Sequence, residues 1–138
     1  MCIRDSLCGL TFCTPADGET HEVARIDGRP LELVLARPEG PGPHPVIAWI
    51  HGGAWMGGDH RQLPGFVSSA LGAGFAVASL DYRLTSEAGR WGDADVEWPA
   101  QIHDCKAGIR WLRANAEALD LDPDRLVACG HSAGGIWR

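Results

Sequence analysis

The sequence predicts an α/β fold, a three-layer sandwich with a mostly parallel central sheet. Three short apolar runs, at 46–50, 75–80 and 125–129, have the length and composition of buried strands. A helical repeat of apolar residues occupies 99–116, between the second and third runs. This alternation predicts βαβ units with parallel strands and right-handed crossovers. Since 138 residues suit one domain, we expect one.

The composition argues against several classes of protein. With 45% hydrophobic and 22% charged residues, the chain resembles an ordinary folded domain. Its 12 basic and 18 acidic residues give a net charge of −6 without any cluster of Lys or Arg, so we expect no nucleic-acid partner. No apolar run approaches the ~20 residues that a membrane span needs. We therefore expect neither a nucleic-acid partner nor a membrane span.

The five cysteines show no CxxC spacing and no histidine at zinc-ligand distance. We therefore expect no metal site, no other cofactor and no disulfide framework. Cys105 lies on the apolar side of a helical pattern and Cys129 in an apolar strand pattern, so both are predicted to be small core residues.

The two ends of the chain carry separate expectations. The first six residues, MCIRDS, resemble a translated transposon sequencing adaptor, so 1–13 is expected to be a non-native or disordered leader. Residues 14–138 are expected to be the N-terminal part of one domain, because the chain stops just after a glycine-rich turn. The start lacks the arrangement of a signal peptide, which leaves the location open, with the cytoplasm favoured over export.

The elements follow in order along the chain. Two strands at 23–26 and 31–36 flank Asp27-Gly28, a pair suited to a hairpin turn. Four prolines and two glycines make 37–45 a loop before the first buried strand. The later elements are a helix within 61–73 that is clearest from Phe66 onward, a long polar loop at 84–97, and the helix at 99–116.

The helix at 99–116 has the clearest pattern. Pro99 stands at its first turn, and Ile102, Cys105, Ile109 and Leu112 recur at intervals of three and four residues. One apolar face should therefore pack on the sheet.

A G-x-S-x-G motif follows the third predicted strand. Gly130, His131, Ser132, Ala133 and Gly134 lie between that strand and a presumed helix. Small flanking residues permit a sharp turn that exposes the serine hydroxyl and directs the next backbone N–H toward an incoming carbonyl oxygen. In this context the motif predicts a nucleophilic serine.

A second motif follows the first buried strand. It reads His51, Gly52, Gly53, Ala54, Trp55. A glycine pair lets backbone N–H groups turn inward, which suits donors aimed at a developing oxyanion. Both motifs fall at carboxyl ends of strands in one predicted sheet, where α/β proteins bind ligands.

With these motifs the sequence resembles the α/β-hydrolase superfamily, within its HGG-motif esterase and lipase group. It is similar to hormone-sensitive-lipase-like enzymes and to carbohydrate feruloyl or acetyl-xylan esterases. The resemblance spans about 23–135 and is carried by residues 31–38, HGGAW at 51–55, DYRL at 81–84, WPA at 98–100, Asp104 with IRWL at 109–112, DPDR at 122–125 and GHSAGG at 130–135.

The resemblance implies roles for particular residues. Ser132 would be the nucleophile, and the backbone N–H groups of Gly53, Ala54 and Ala133 would form the oxyanion hole. The third glycine of the family motif is Ala54 here, a mild change because the donor is backbone. Because the family triad runs serine, acid, histidine, the acid and base would lie beyond residue 138, and we expect these 138 residues alone to be inactive and poorly stable. The residues expected to support the two motifs are His51, Gly52, Gly130 and Gly134.

The upstream histidines are expected to be structural. A side chain next to the nucleophile across a sharp turn points away from it, so His131 should support the turn, and His51 should order its own loop. His60 and His103 are predicted to lie on the surface. His21 and His44 fall in strand-edge or loop positions.

Other polar and aromatic residues each have a structural and a functional interpretation. Arg83 and Asp104 could pair to brace the helix against the loop after the second buried strand, and an ion pair is favoured over a catalytic role. Trp55, Trp91 and Trp98 are candidates for an acyl or aromatic pocket, or for packing.

The leading functional hypothesis is a serine hydrolase that acts on small-molecule carboxylic esters through an acyl-enzyme, of the carboxylesterase, lipase or carbohydrate acetyl or feruloyl esterase type. One alternative is an amide hydrolase of the same fold, formamidase-like or peptidase-like. Another is a ligand-binding relative without catalysis. The residues leave acyl specificity and oligomeric state open.

Overall fold

The structure, a computed structural model, describes residues 2–4, 11–13, 18–87 and 96–136. Its strands are β1 (Cys2–Arg4), β2 (Thr11–Cys13), β3 (Glu19–Ile26), β4 (Arg29–Ala36), β5 (His44–Ile50), β6 (Leu63–Pro64), β7 (Ala76–Leu80) and β8 (Leu121–Gly130). Its helices are α1 (Gly65–Gly72) and α2 (Ala100–Ala114), with short 3-10 helices η1 (Thr85–Glu87) and η2 (Ser132–Gly135).

Five strands form the main sheet in the order β3-β4-β7-β5-β8. β5 pairs in parallel with both β7 and β8, so the three predicted central strands are parallel, as the sequence indicated. β3 and β4 form an antiparallel hairpin, and β4 continues antiparallel to β7. The hairpin turns at Asp27 and Gly28, whose φ angles of 46° and 81° are those that an Asp-Gly turn favours.

A helix covers each face of this sheet. Alternate residues of β5, namely Val46, Ala48 and Ile50, join the larger core cluster, to which α2 contributes Cys105 and Leu112. The opposite face of the sheet packs against α1 and forms a smaller cluster of Trp49, Leu63, Val67 and Val77. The predicted three-layer α/β-hydrolase architecture is therefore confirmed, including the core position of Cys105.

The first segment of the chain also contains strands. β2 pairs antiparallel with β1 and with β6, forming a separate three-stranded sheet. The non-native origin of 1–13 stays a prediction, as does the domain division at residue 14.

The strand predicted as buried at 125–129 is exposed. It belongs to β8, which lies at the end of the strand order and pairs only with β5 among the described residues. Val127 is 54% exposed and Cys129 is also exposed, so the prediction that Cys129 is a core residue is wrong. The physical reason is position: the apolar pattern marks a strand, but this one lies at the end of the described sheet, where Leu126 packs against the larger core cluster and most other residues of 125–129 stay exposed.

The predicted loop at 84–97 contains η1, and residues 88–95, including Trp91, lie outside the described residues. Helix α2 has nearly its predicted bounds. Within the described ranges, no helix has the length and apolar character that crossing a bilayer requires.

Candidate active site

Ser132 is the first residue of η2, on the sharp turn that follows β8. Its φ of 53° is in the left-handed region that non-glycine residues rarely adopt, and the residue is exposed. The turn needs small neighbours. A Cβ on Gly130 would lie 2.3 Å from Gly134 O, and one on Gly134 would lie 2.2 Å from Ile50 O. The two glycines therefore let η2 pack against β5, and the strain is concentrated at the serine.

Residues 51–58, which we call the HGGAW loop, follow β5 with unusual backbone geometry. Gly53, Ala54 and Trp55 have φ angles of 125°, 52° and 60°. The amides of Met56 and Gly57 both donate to Gly53 O, at 2.9 and 3.0 Å. Within the described part of the chain, the amides of Gly53 and Ala54 donate to no acceptor. The loop therefore presents two available N–H donors.

Ala133 has a third backbone N–H that, among the described residues, donates to no acceptor. The first hydrogen bond of η2 runs from Gly134 N to His131 O, at 3.0 Å, so the Ala133 amide precedes the bonded turn. The residue itself is buried directly after the exposed serine.

The HGGAW loop and the serine turn are in close contact. A Cβ placed on Gly52 would lie 2.8 Å from His131 O, 3.0 Å from His131 Nδ1 and 3.2 Å from Ser132 Cβ. These separations are shorter than ordinary van der Waals contact, so only glycine fits without displacement. The structure thus brings the two sequence motifs together, as the sequence predicted.

His51 orders the start of the loop. Its ring is buried and stacks on Tyr82 with centroids 4.3 Å apart, while Nδ1 donates to Gly52 O at 2.8 Å. The Tyr82 hydroxyl donates to His51 O at 3.0 Å. Burial lowers the pKa of His51 below its ordinary value of 6.5, which favours the neutral ring with its proton on Nδ1. These contacts hold the His51 ring in place at the start of the loop.

The far side of the loop is anchored to η1. Thr85 N donates to Trp55 O at 2.8 Å, and Ser86 Oγ donates to Met56 O at 2.6 Å. Next to these contacts lies a cleft of about 190 Å³ lined by Trp55, Thr85, Trp98 and Gln101. Two of the three tryptophans singled out from the sequence therefore line one cleft.

The predicted pair of Arg83 and Asp104 is present. Arg83 Nε and Nη2 donate to the two Asp104 carboxylate oxygens at 2.8 and 2.9 Å, and Arg83 N donates to Oδ2 at 3.0 Å. The Asp104 side chain is only 4% exposed. Hydrogen bonds to this carboxylate raise the pKa of the guanidinium. The pair fixes α2 to the segment that follows β7.

The histidines differ in their surroundings. His103 is exposed on α2, as predicted. The prediction that His60 lies on the surface is wrong, because the residue is 4% exposed and packs against Glu32 of β4 and Asp81, which directly follows β7. In the described part of the chain, no hydrogen bond joins Ser132 Oγ to a histidine. Nor is any group of three or more His, Cys, Asp or Glu side chains in the described ranges arranged to hold a metal ion.

Sequence reasoning missed Gln101 and His60. Gln101 is a buried polar residue that lines the cleft. Its position in the first turn of α2 was the one sequence signal that could have identified it. His60 stands between two charged residues, Asp59 and Arg61, so local sequence favours exposure. Its burial depends on Glu32 and Asp81, which no local pattern connects to it.

Comparison with known proteins agrees with this geometry. Residues 33–136 match the BD-FAE family model. Carboxylesterase NlhH of Mycobacterium tuberculosis is 40% identical over 92 residues, covering 66% of this chain and 26% of that protein. Lipase 2 of Geotrichum candidum is 33% identical over 150 residues, covering 97% of this chain and 27% of that protein. The chain thus spans about a quarter of the length of these relatives.

Solved structures show the same likeness. The thermophilic esterase Est2 of Thermogutta terrifontis superposes with a TM-score of 0.75 at 28% identity, covering 88% of this chain and 42% of that one. A bacterial heroin esterase gives a TM-score of 0.72 at 32% identity, covering 86% of this chain and 36% of that one. From the family match, the fold and the two apposed motifs, the chain belongs to the BD-FAE family of α/β-hydrolases.

Proposed function

We propose that this protein hydrolyses small-molecule carboxylic esters through an acyl-enzyme, with Ser132 as the nucleophile. The observation that carries the proposal is the exposed Ser132 at φ 53°, in close contact with a loop whose Gly53 and Ala54 amides have no acceptor in the described part of the chain. A strained turn that presents a hydroxyl beside available N–H donors is the arrangement that acyl transfer requires. Relatives named carboxylesterase, lipase and esterase support the same reaction.

The reaction proceeds in two steps. Ser132 Oγ attacks the ester carbonyl carbon while its proton passes to a base, and the tetrahedral oxyanion accepts hydrogen bonds from the amides of Gly53, Ala54 and Ala133. The C–O bond to the alcohol breaks, and the alcohol leaves with that proton. Water then attacks the acyl-serine, releases the carboxylic acid and restores the hydroxyl. Loss of one such donor costs ~100- to 1,000-fold in turnover.

We propose that the base and its acidic partner are residues outside these 138. No described histidine bonds Ser132, and the chain spans 26% of the length of Carboxylesterase NlhH. Oxyanion donors and binding without the base leave only ~10³- to 10⁴-fold over water. Residues 1–138 expressed alone should therefore show no Ser132-dependent turnover, whereas the protein expressed from the complete open reading frame should. Equal Ser132-dependent turnover in both would place the base within the sequence above.

The cleft beside the HGGAW loop, of about 190 Å³, supplies part of a surface for the acyl group. Trp55 and Trp98 line it, and their flat aromatic rings favour contact with a planar aromatic or a small acyl group. We therefore expect acetyl or feruloyl esters of carbohydrates as substrates. Relative kcat/KM for p-nitrophenyl acetate, p-nitrophenyl octanoate and methyl ferulate tests this expectation, and a preference for octanoate would contradict it.

The test of the reaction uses protein from the complete open reading frame with two matched variants. S132A should lower hydrolysis of p-nitrophenyl acetate by ~10⁴- to 10⁶-fold, while S69A, at an exposed serine of α1, should leave it unchanged. Faster hydrolysis of p-nitroacetanilide than of the ester would favour an amide hydrolase. Binding of esters without any turnover would favour a non-catalytic relative.

A further inference from the structure

His60 is a buried histidine surrounded by charged side chains that are partly exposed. Its Nδ1 is 3.3 Å from Asp81 Oδ1 and 3.7 Å from Asp59 Oδ1, and its Nε2 is 3.9 Å from Glu32 Oε2. The ring is 5% exposed, and Nε2 is buried without a hydrogen-bond partner among the residues that the structure describes. Arg61 Nη2 also contacts Glu32 Oε2, at 2.9 Å.

The cluster joins three separate parts of the chain. Asp59 and His60 directly follow the HGGAW loop, Glu32 is in β4, and Asp81 is the first residue after β7. The Asp81 amide donates to Glu32 O at 3.1 Å, so these two carboxylates are held on a rigid part of the sheet. His60 is therefore the point at which the end of the loop is attached to the sheet.

The end of the HGGAW loop also contacts the residues just before the amide donors. Gly58, two residues before His60, packs so closely on His51 that a Cβ there would lie 2.2 Å from His51 Nδ1 and 2.4 Å from Gly52 O. A displacement of His60 would carry Gly58 with it. The packing of Gly58 on His51 and Gly52 would then loosen, and Gly53, the next residue along the chain, would be less firmly held.

We propose that His60 is a positioning residue for the Gly53 and Ala54 amides, and that it acts by holding the end of the HGGAW loop between Glu32 and Asp81. The proposal rests on the proposed function for its catalytic consequence, but the restraint on the loop is independent of it. Without the imidazole, the carboxylates of Glu32, Asp59 and Asp81 would face one another directly. Arg61 contacts Glu32 and Asp59 from the exposed side, and mutual repulsion of the carboxylates would move Asp59 outward with the loop.

The first test measures turnover per active site in protein from the complete open reading frame. H60L removes both ring nitrogens, H60N keeps an amide donor where Nδ1 faces Asp81, and H103L is the matched control at an exposed histidine. Active sites are counted by titration to completion with diethyl p-nitrophenyl phosphate. We expect H60L to lower kcat ~10- to 100-fold, because misplacement by about 1 Å can cost ~100-fold.

Comparing the effects of H60L on kcat and on KM distinguishes a loss of amide positioning from a general disruption of the fold. Oxyanion donors act in the transition state, so KM for p-nitrophenyl acetate should stay within about twofold in H60L. H60N should recover most of the lost kcat, and H103L should match the unmodified protein. Wild-type kcat per titrated site in H60L, or a loss in H60N as large as in H60L, would overturn the proposal.

A second test does not depend on activity. Amide hydrogen exchange followed by mass spectrometry reports peptides covering 53–58 and, as an internal reference, 100–114. H60L should exchange faster in the loop peptides while α2 stays protected, and H60N should be intermediate. If esters are not hydrolysed by a Ser132-dependent route, the proposed function fails, but hydrogen exchange still tests whether His60 holds the loop. Unchanged loop exchange in H60L would overturn the claim that His60 holds the loop.

Discussion

Substitution of Gly52 by alanine tests the contact on which the site depends. The new Cβ would lie 2.8 Å from His131 O and 3.2 Å from Ser132 Cβ, whereas ordinary contact begins at 3.4 Å. The HGGAW loop and the serine turn must therefore separate by about half an ångström to admit it. Since about 1 Å of misplacement can cost ~100-fold in rate, G52A should lower kcat about tenfold.

The same loop offers a matched control. A Cβ on Gly57 would have only Gly53 O within reach, at 4.0 Å, so G57A adds the same methyl group without a clash. The assay is hydrolysis of p-nitrophenyl acetate per titrated active site, with thermal unfolding measured in parallel. G52A should also lose about 1–3 kcal/mol of stability through overpacking. Wild-type kcat in G52A, or an equal loss in G57A, would show that this contact does not position the amide donors.

Three further predictions concern strain, an ion pair and a thiol. S132G should raise the free energy of unfolding by about 1 kcal/mol over S132A, because glycine relieves the φ of 53° while both variants lose activity; equal melting temperatures would contradict this. D104N should lower the free energy of unfolding by about 3 kcal/mol, since it leaves the partner guanidinium without its buried carboxylate, while D122N, whose partner Arg125 is exposed, should leave the same urea titration nearly unchanged. Burial raises the pKa of the Cys105 thiol to about 12, so Cys105 should resist iodoacetamide at pH 8 in the folded protein and react in urea; rapid labelling of the folded state would show that the thiol is accessible.

Much of the fold could be predicted because its signals are local. The Asp27-Gly28 turn, the apolar strand at 46–50 and the apolar repeat of α2 each specify an element within a few residues. The serine turn and the HGGAW loop were also identifiable, since their glycines are required by contacts at the ends of neighbouring parallel strands.

The parts that sequence reasoning missed depend on distant residues. An apolar pattern at 125–129 indicates a strand, but burial depends on which element packs over it, and β8 lies at the end of the described sheet. His60 has charged neighbours in sequence, so its burial against Glu32 and Asp81 follows only from the way β4 meets β7. Tertiary contact decided both cases.

Acylation of Ser132 is the direct test of the proposed acyl-enzyme. Protein from the complete open reading frame is mixed with p-nitrophenyl acetate, quenched in acid within the first turnover, digested and analysed by mass spectrometry. We predict a burst of one nitrophenolate per active site and one acetyl group on the peptide containing Ser132, with neither in S132A. An acetyl group on a different residue, or an undiminished burst in S132A, would show that Ser132 is not the nucleophile.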